Sequence, residues 1–166
     1  MKRKIALAAL LLCIAFSAEA RIFIGGNIGL ATSSGSDSRL GIIIAPEIGY
    51  NINQNFTVGG MLSYRSLQNS FGITPYMRGH LCNIQDRFCL FLSFQVPCSF
   101  SSGYESYGAY LRPGFSFRVN ENVWLTAHIG AFGYSFTRSG GVGNGGWSAR
   151  INSNTVNIGF SFNIGS

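Results

Sequence analysis

Beyond residue 20 the chain holds three cysteines (Cys82, Cys89 and Cys98), two histidines (His80 and His128) and five acids. Cys82 and Cys89 flank the turn NIQDR. A hairpin centred on Gln85 and Asp86 puts the two sulfurs opposite each other on one face. Export would permit a disulfide between them, and two free thiols near a turn is the equal alternative. Cys98 is left over and reads as a small buried hydrophobe. Four-residue spacings of the C-x-x-C kind are absent, so no zinc or other metal site is expected.

A hydrolase acting on lipid would need a nucleophile beside His80 or His128 on a membrane-facing surface. Both histidines fall on the polar face of their segments. The same-face neighbours two residues on are Cys82 and Gly130. That arrangement makes no nucleophile–base pair, so no enzyme and no cofactor are expected. GVGNGG, residues 141 to 146, matches G-x-G-x-x-G by letters. The nucleotide-binding form needs a strand before it and a helix after it. Here strands flank both sides, so the stretch reads as a flexible loop. Arg138, Trp147 and Arg150 around it could meet lipopolysaccharide phosphates or a host surface. A solvated loop with one headgroup-level tryptophan is the plainer reading.

The remaining chemistry is Glu47, set within the apolar run IIIAPEIGY. A lone buried carboxylate is costly, so it should pair. Arg78 and Arg112 are the partners that the pattern offers, with His128 on the same polar side.

What must position these groups is a set of strands. The chain opens MKRKIALAALLLCIAFSAEA. A positive start, a short apolar run and an A-x-A site read as a cleaved secretory signal over 1–20, leaving one domain over 21–166. A dozen apolar residues fall short of the roughly 20 that span a membrane as a helix. The 146 residues after it carry nine arginines, no lysine and five acids, a net charge of +4. That is few charges for a soluble surface, and without lysine clusters it does not suggest nucleic acid.

Residues 155 to 164, TVNIGFSFNI, place Val156, Ile158, Phe160, Phe162 and Ile164 on one side. The alternate residues are polar or small, which is the period of a strand. The same split predicts eight strands at 21–31, 39–50, 55–65, 71–82, 88–98, 106–118, 123–135 and 152–164. Tight turns (NINQN, NIQDR, NEN) alternate with longer connections (TSSGSDS, SLQNS, SFSSGYES, TRSGGVGNGGWSAR). An up-and-down barrel with turns at one end and loops at the other does this. Pro46, Pro75 and Pro113 recur in similar settings and predict bulges or bends within strands.

Three features turn the apolar faces outward, toward lipid. Tyr50, Phe56, Phe88 and Phe117 lie beside the short turns, and Tyr64, Phe71 and Tyr107 beside the long loops. Rings at both ends match the two headgroup levels of a bilayer. Tyr107 to Phe117 spans on the order of 25 Å in a tilted strand, close to the apolar band of such barrels. The apolar faces hold no charge, while Glu47, Ser63, Arg78, His80, Gln95, Arg112, Ser116, Thr126 and His128 share the other face. In an eight-stranded barrel Glu47, Arg78, Arg112, Tyr76, Tyr110 and Phe91 would fill much of the lumen.

APEIGYNINQNFTVGGMLSY, FGITPYMRGHL and VNIGFSFNI resemble small outer-membrane β-barrel proteins of the porin-like, outer-membrane protein A and OmpX-like kind. The resemblance covers nearly all of residues 21–166. It implies an all-β, eight-stranded antiparallel up-and-down transmembrane barrel in the outer membrane of a Gram-negative bacterium. Its surroundings would be outer-membrane lipid and lipopolysaccharide. The barrel-assembly machinery would insert it, with Phe160 and Phe162 in the recognition strand. The expected role is membrane integrity or surface interaction by a plugged monomer. The alternatives are a narrow porin passing small solutes or anions and a soluble lipocalin- or avidin-like ligand-binding barrel.

Overall fold

The computed structural model describes residues 21–32, 40–67, 69–85, 87–101, 103–151 and 157–164. The expected signal segment, residues 1–20, lies outside the described residues, as do 33–39 and 152–156. Everything ordered into elements is strand. The strands are β1 (Arg21–Thr32), β2 (Leu40–Asn51), β3 (Phe56–Arg65), β4 (Ser70–Ile84), β5 (Phe88–Gln95) and β6 (Cys98–Ser101). They continue with β7 (Tyr104–Arg118), β8 (Val123–His128), β9 (Ala131–Ser139), β10 (Val142–Arg150) and β11 (Asn157–Ile164).

Eight of these close a ring in the order β1-β2-β3-β4-β5-β7-β8-β11, and every pairing is antiparallel. β11 returns to β1 with Ile164 opposite Ile22 and Ile158 opposite Ile28. Closure leaves the ring without a free edge, which is how a sheet can sit in lipid with its backbone satisfied.

β6 and β9 carry β5 and β8 on toward the loop end. The two breaks lie opposite prolines. Val96 donates to Pro75 O at 3.0 Å, and Ile129 donates to Pro113 O at 2.9 Å. The β2–β3 ladder likewise skips Ala45 and Pro46. Each proline stays inside its strand, and the neighbouring ladder gives way beside it, because proline has no N–H to offer.

Two expected loops are hairpins instead. SFSSGYES becomes the β6–β7 hairpin, with Ser101 opposite Tyr104. TRSGGVGNGGWSAR becomes the end of β9, a turn and β10, with Ser139 opposite Val142. Gly140 and Gly141 both have positive φ (56° and 87°), the pair that a type I′ hairpin turn demands. GVGNGG is therefore mostly strand. A Cβ on Gly143 would lie 2.6 Å from the Phe136 ring, so the missing side chain makes room for that aromatic. Among the described residues β10 pairs only with β9.

The faces are inverted relative to a water-soluble barrel. Ile44, Ile48, Leu62, Phe94 and Leu111 are exposed on the outside; Ile48 is 60% exposed and Leu62 59%. Asn27, Glu47, Thr57, Thr74, Arg78, Ser93, Gln95, Ser116, Thr126 and His128 are buried inside. The barrel has a polar interior with a small apolar cluster of Phe23, Met61 and Tyr76.

Candidate functional site

The lumen is organised around Glu47. Alternation along β2 turns its side chain inward, between outward Pro46 and Ile48, and leaves it 5% exposed. One carboxylate oxygen, Oε1, accepts from Arg78 Nη2 at 3.2 Å and from the Tyr76 hydroxyl. The other, Oε2, accepts from Asn27 Nδ2 at 3.1 Å. Arg78, also 5% exposed, lies over two rings, 4.6 Å from the Phe91 centroid and 5.2 Å from that of Tyr76. Glu47 thus receives three donors, and the guanidinium is held by charge on one side and aromatic faces on the other. A side chain on Gly59 would collide with the Tyr76 ring, and one on Gly49 with the Phe23 ring beside it.

Arg112 and His128 go elsewhere. Arg112 donates from Nε to Gly130 O and from Nη1 to Gln95 Oε1, each at 3.3 Å. The Ile129–Gly130 break in the strand is what presents that carbonyl. His128 is 1% exposed and stands edge-on to Phe91, with centroids 5.2 Å apart. Neither of its nitrogens has a hydrogen-bond partner among the described residues. Asn27 and Tyr76, which complete the Glu47 cluster, share the inward parity of Glu47 and Arg78. That parity already put Tyr76 in the lumen, and it is the signal that could have nominated Asn27.

The cysteines are not bonded. All three are free, with Cys89 buried and Cys82 exposed. Of the two alternatives that the sequence left open, free thiols are found, because β4 has an irregularity between His80 and Cys82. It places Cys82 opposite Leu90 and Asn83 opposite Cys89, so Cys82 moves to the outward face. In its place His80 meets Cys89, with Nδ1 3.1 Å from the sulfur. Nε2 of the same ring is 3.1 Å from Thr57 Oγ1, which donates to Asn51 Oδ1 at 2.7 Å. This row faces a vestibule of about 740 Å³ at the turn end of the barrel, whose lining includes Arg21, Arg78 and Arg118.

Rings mark both ends of the outer wall. At the loop end Tyr64 packs on Phe71 (5.0 Å between centroids) and Phe100 meets Tyr107 edge-on (6.1 Å). At the turn end Phe88 pairs with Phe117 and stacks on Phe115 (5.6 Å). Tyr50 and Phe56 lie at the same end, with Tyr50 opposite Val58 and Phe56 opposite Gly79.

Arg138, Trp147 and Arg150 do not converge. Arg138 is the cross-strand partner of Glu105. Trp147, 74% exposed, stacks on Phe132 and stands edge-on to Tyr134. Arg150 lies opposite Ala131, and strand alternation puts it on the other face from both.

Fold and lumen together define a small, closed, eight-stranded antiparallel barrel with an apolar outside and a polar, side-chain-filled inside. Among solved structures it is similar to the crystal structure of Neisserial surface protein A, with a TM-score of 0.55 and 16% sequence identity. The match covers 85% of this chain and 96% of that one. No family model and no curated protein matches the sequence.

Proposed function

We propose that the protein is an integral outer-membrane barrel with a structural or surface-interaction role, its lumen closed by side chains. The observation that carries this is the inverted partition. Ile44 and Ile48 stand exposed on either side of buried Glu47 along a single strand. In water that arrangement leaves apolar side chains wet around the entire ring. In a bilayer it places each face in its preferred surroundings. Two levels of aromatic rings on the outer wall support the same reading, and the likeness to Neisserial surface protein A in fold agrees with it.

On this reading residues 1–20 direct export and the barrel-assembly machinery inserts the chain as a monomer. Outer-membrane lipid and lipopolysaccharide then surround it. The Glu47–Arg78–Tyr76 cluster and Phe91 occupy the lumen, so the barrel is a plug before it is a pore. Fractionation and gel mobility test the proposal. The chain should pellet with outer membranes and shift in mobility on boiling; recovery as a detergent-free soluble protein would overturn it.

A narrow anion pore is the second reading. It is favoured by one observation, the arginine-lined vestibule at the turn end.

A further inference from the structure

We propose that Cys89 and His80 form a thiol–imidazole pair that exchanges with small anionic disulfides entering the turn-end vestibule. The row of hydrogen bonds has a direction. Thr57 has one hydroxyl hydrogen, and it goes to Asn51 Oδ1. The Thr57 oxygen is then an acceptor for His80, so the imidazole carries its hydrogen on Nε2. Nδ1 is left with its lone pair aimed at the Cys89 sulfur, 3.1 Å away. The sulfur's other acceptor, Leu90 O, is farther off at 3.5 Å. Nucleophile, base and a group that orients the base stand in order, the arrangement that activates a thiol. Ser116, the cross-strand partner of Cys89, adds a hydroxyl beside the sulfur.

The vestibule determines the ligand class. Arg21, Arg78 and Arg118 line it with His80 and Cys89, and no acid among the described residues does. No third His, Cys, Asp or Glu joins the pair among the described residues, which suits proton transfer better than metal chelation.

The step balances within the two reactants. As the Cys89 sulfur attacks one sulfur of the ligand, its proton passes to His80 Nδ1. The ligand's S–S bond breaks. One half remains on Cys89 as a mixed disulfide, and the other leaves as a thiolate that takes the proton back from His80. Cys89 is oxidised and half of the ligand is reduced to a thiol. Cys82 also lines the vestibule, so it is replaced together with Cys98 in the test; with no second thiol to resolve the adduct, the mixed disulfide accumulates at one per chain.

The test uses the folded chain in detergent with Cys82→Ser and Cys98→Ala, leaving Cys89 as the only thiol from residue 21 onward. The probes are dithiobis(nitrobenzoate), a dianionic disulfide, and cystamine, a dicationic one. Near neutral pH the anionic probe should react at least about tenfold faster at Cys89 than at Cys82 in a chain carrying only that thiol. It should also outrun cystamine. His80→Phe, checked for folding by heat-modifiable mobility, should lose about tenfold near neutral pH and recover in alkali, where the thiol ionises unaided. His80→Asn serves where the phenylalanine variant does not fold. Equal rates at Cys89 and Cys82, a full rate without His80, or no preference for the anionic probe would each overturn the proposal.

Discussion

Glu47 and Arg78 stand on β2 and β4, with all of β3 between them, and meet across the lumen at 3.2 Å. The contact is a chord of the barrel, made by charge and not by the sheet's own ladder. Removing one partner of such a buried pair leaves the other uncompensated, at a cost of about 3–5 kcal/mol. Glu47→Gln should therefore lower the unfolding temperature in detergent, read as loss of heat-modifiable mobility. An unchanged transition would mean that the pair does not hold the barrel.

The outer wall predicts a depth dependence. Leu111 lies between Tyr107 and Phe117 on β7, near the middle of the apolar band. Leu111→Arg should cost about 2–4 kcal/mol, while Phe100→Arg, level with Glu105 at the loop end, should cost about 0–1 kcal/mol. Denaturant titration in lipid vesicles checks the ordering. Equal costs at the two sites would contradict a membrane around this wall.

The β9–β10 hairpin rests on two left-handed glycines, Gly140 and Gly141. Replacing both with alanine should raise backbone strain by about 1–2 kcal/mol each and open the hairpin locally. Amide exchange over residues 142–150 should quicken without loss of the closed ring. Unchanged protection there would show that the turn residues do not govern the hairpin.

With Phe91, Arg78, Glu47 and Tyr76 in the lumen, conductance in planar bilayers should be small or absent. Any current should favour anions, because arginines line the turn-end vestibule. Cation selectivity would exclude the anion-pore reading.

A thiol titration of the denatured chain from residue 21 onward, purified without reductant, should find three free thiols, at Cys82, Cys89 and Cys98. A count of one would mean that two of the three are bonded, against the free thiols of this structure.

The period of two made most of this fold readable. Ile44, Glu47 and Ile48 announce their faces, and so do Phe94 and Gln95. What it could not register is a change of phase. One extra residue near Leu81 turns Cys82 outward, removes the Cys82–Cys89 register that a disulfide would need and delivers Cys89 to His80 instead. Bulges leave little trace in residue types, because either face of the turn end tolerates leucine or cysteine. The β10 strand was hidden for another reason. Its glycines carry no side chain to alternate, and two of them, Gly143 and Gly145, clear space for Phe136 and Tyr134 on the neighbouring strand. The partner of Glu47 was half legible: parity nominated both Arg78 and Arg112. Only the actual register and the strand break at Gly130 separate them.

The reach of Glu47 past β3 also constrains how such a chain can cross into hydrocarbon. A lone β1–β2 hairpin would drag a carboxylate through oil with no cation beside it, and an isolated β4–β5 hairpin would strand a guanidinium in the same way. Neither can wait for the other in the bilayer at low cost. On the outer-membrane reading, bringing the middle of the chain in as a unit of three neighbouring strands, β2 to β4, would match its opposite charges before either leaves water.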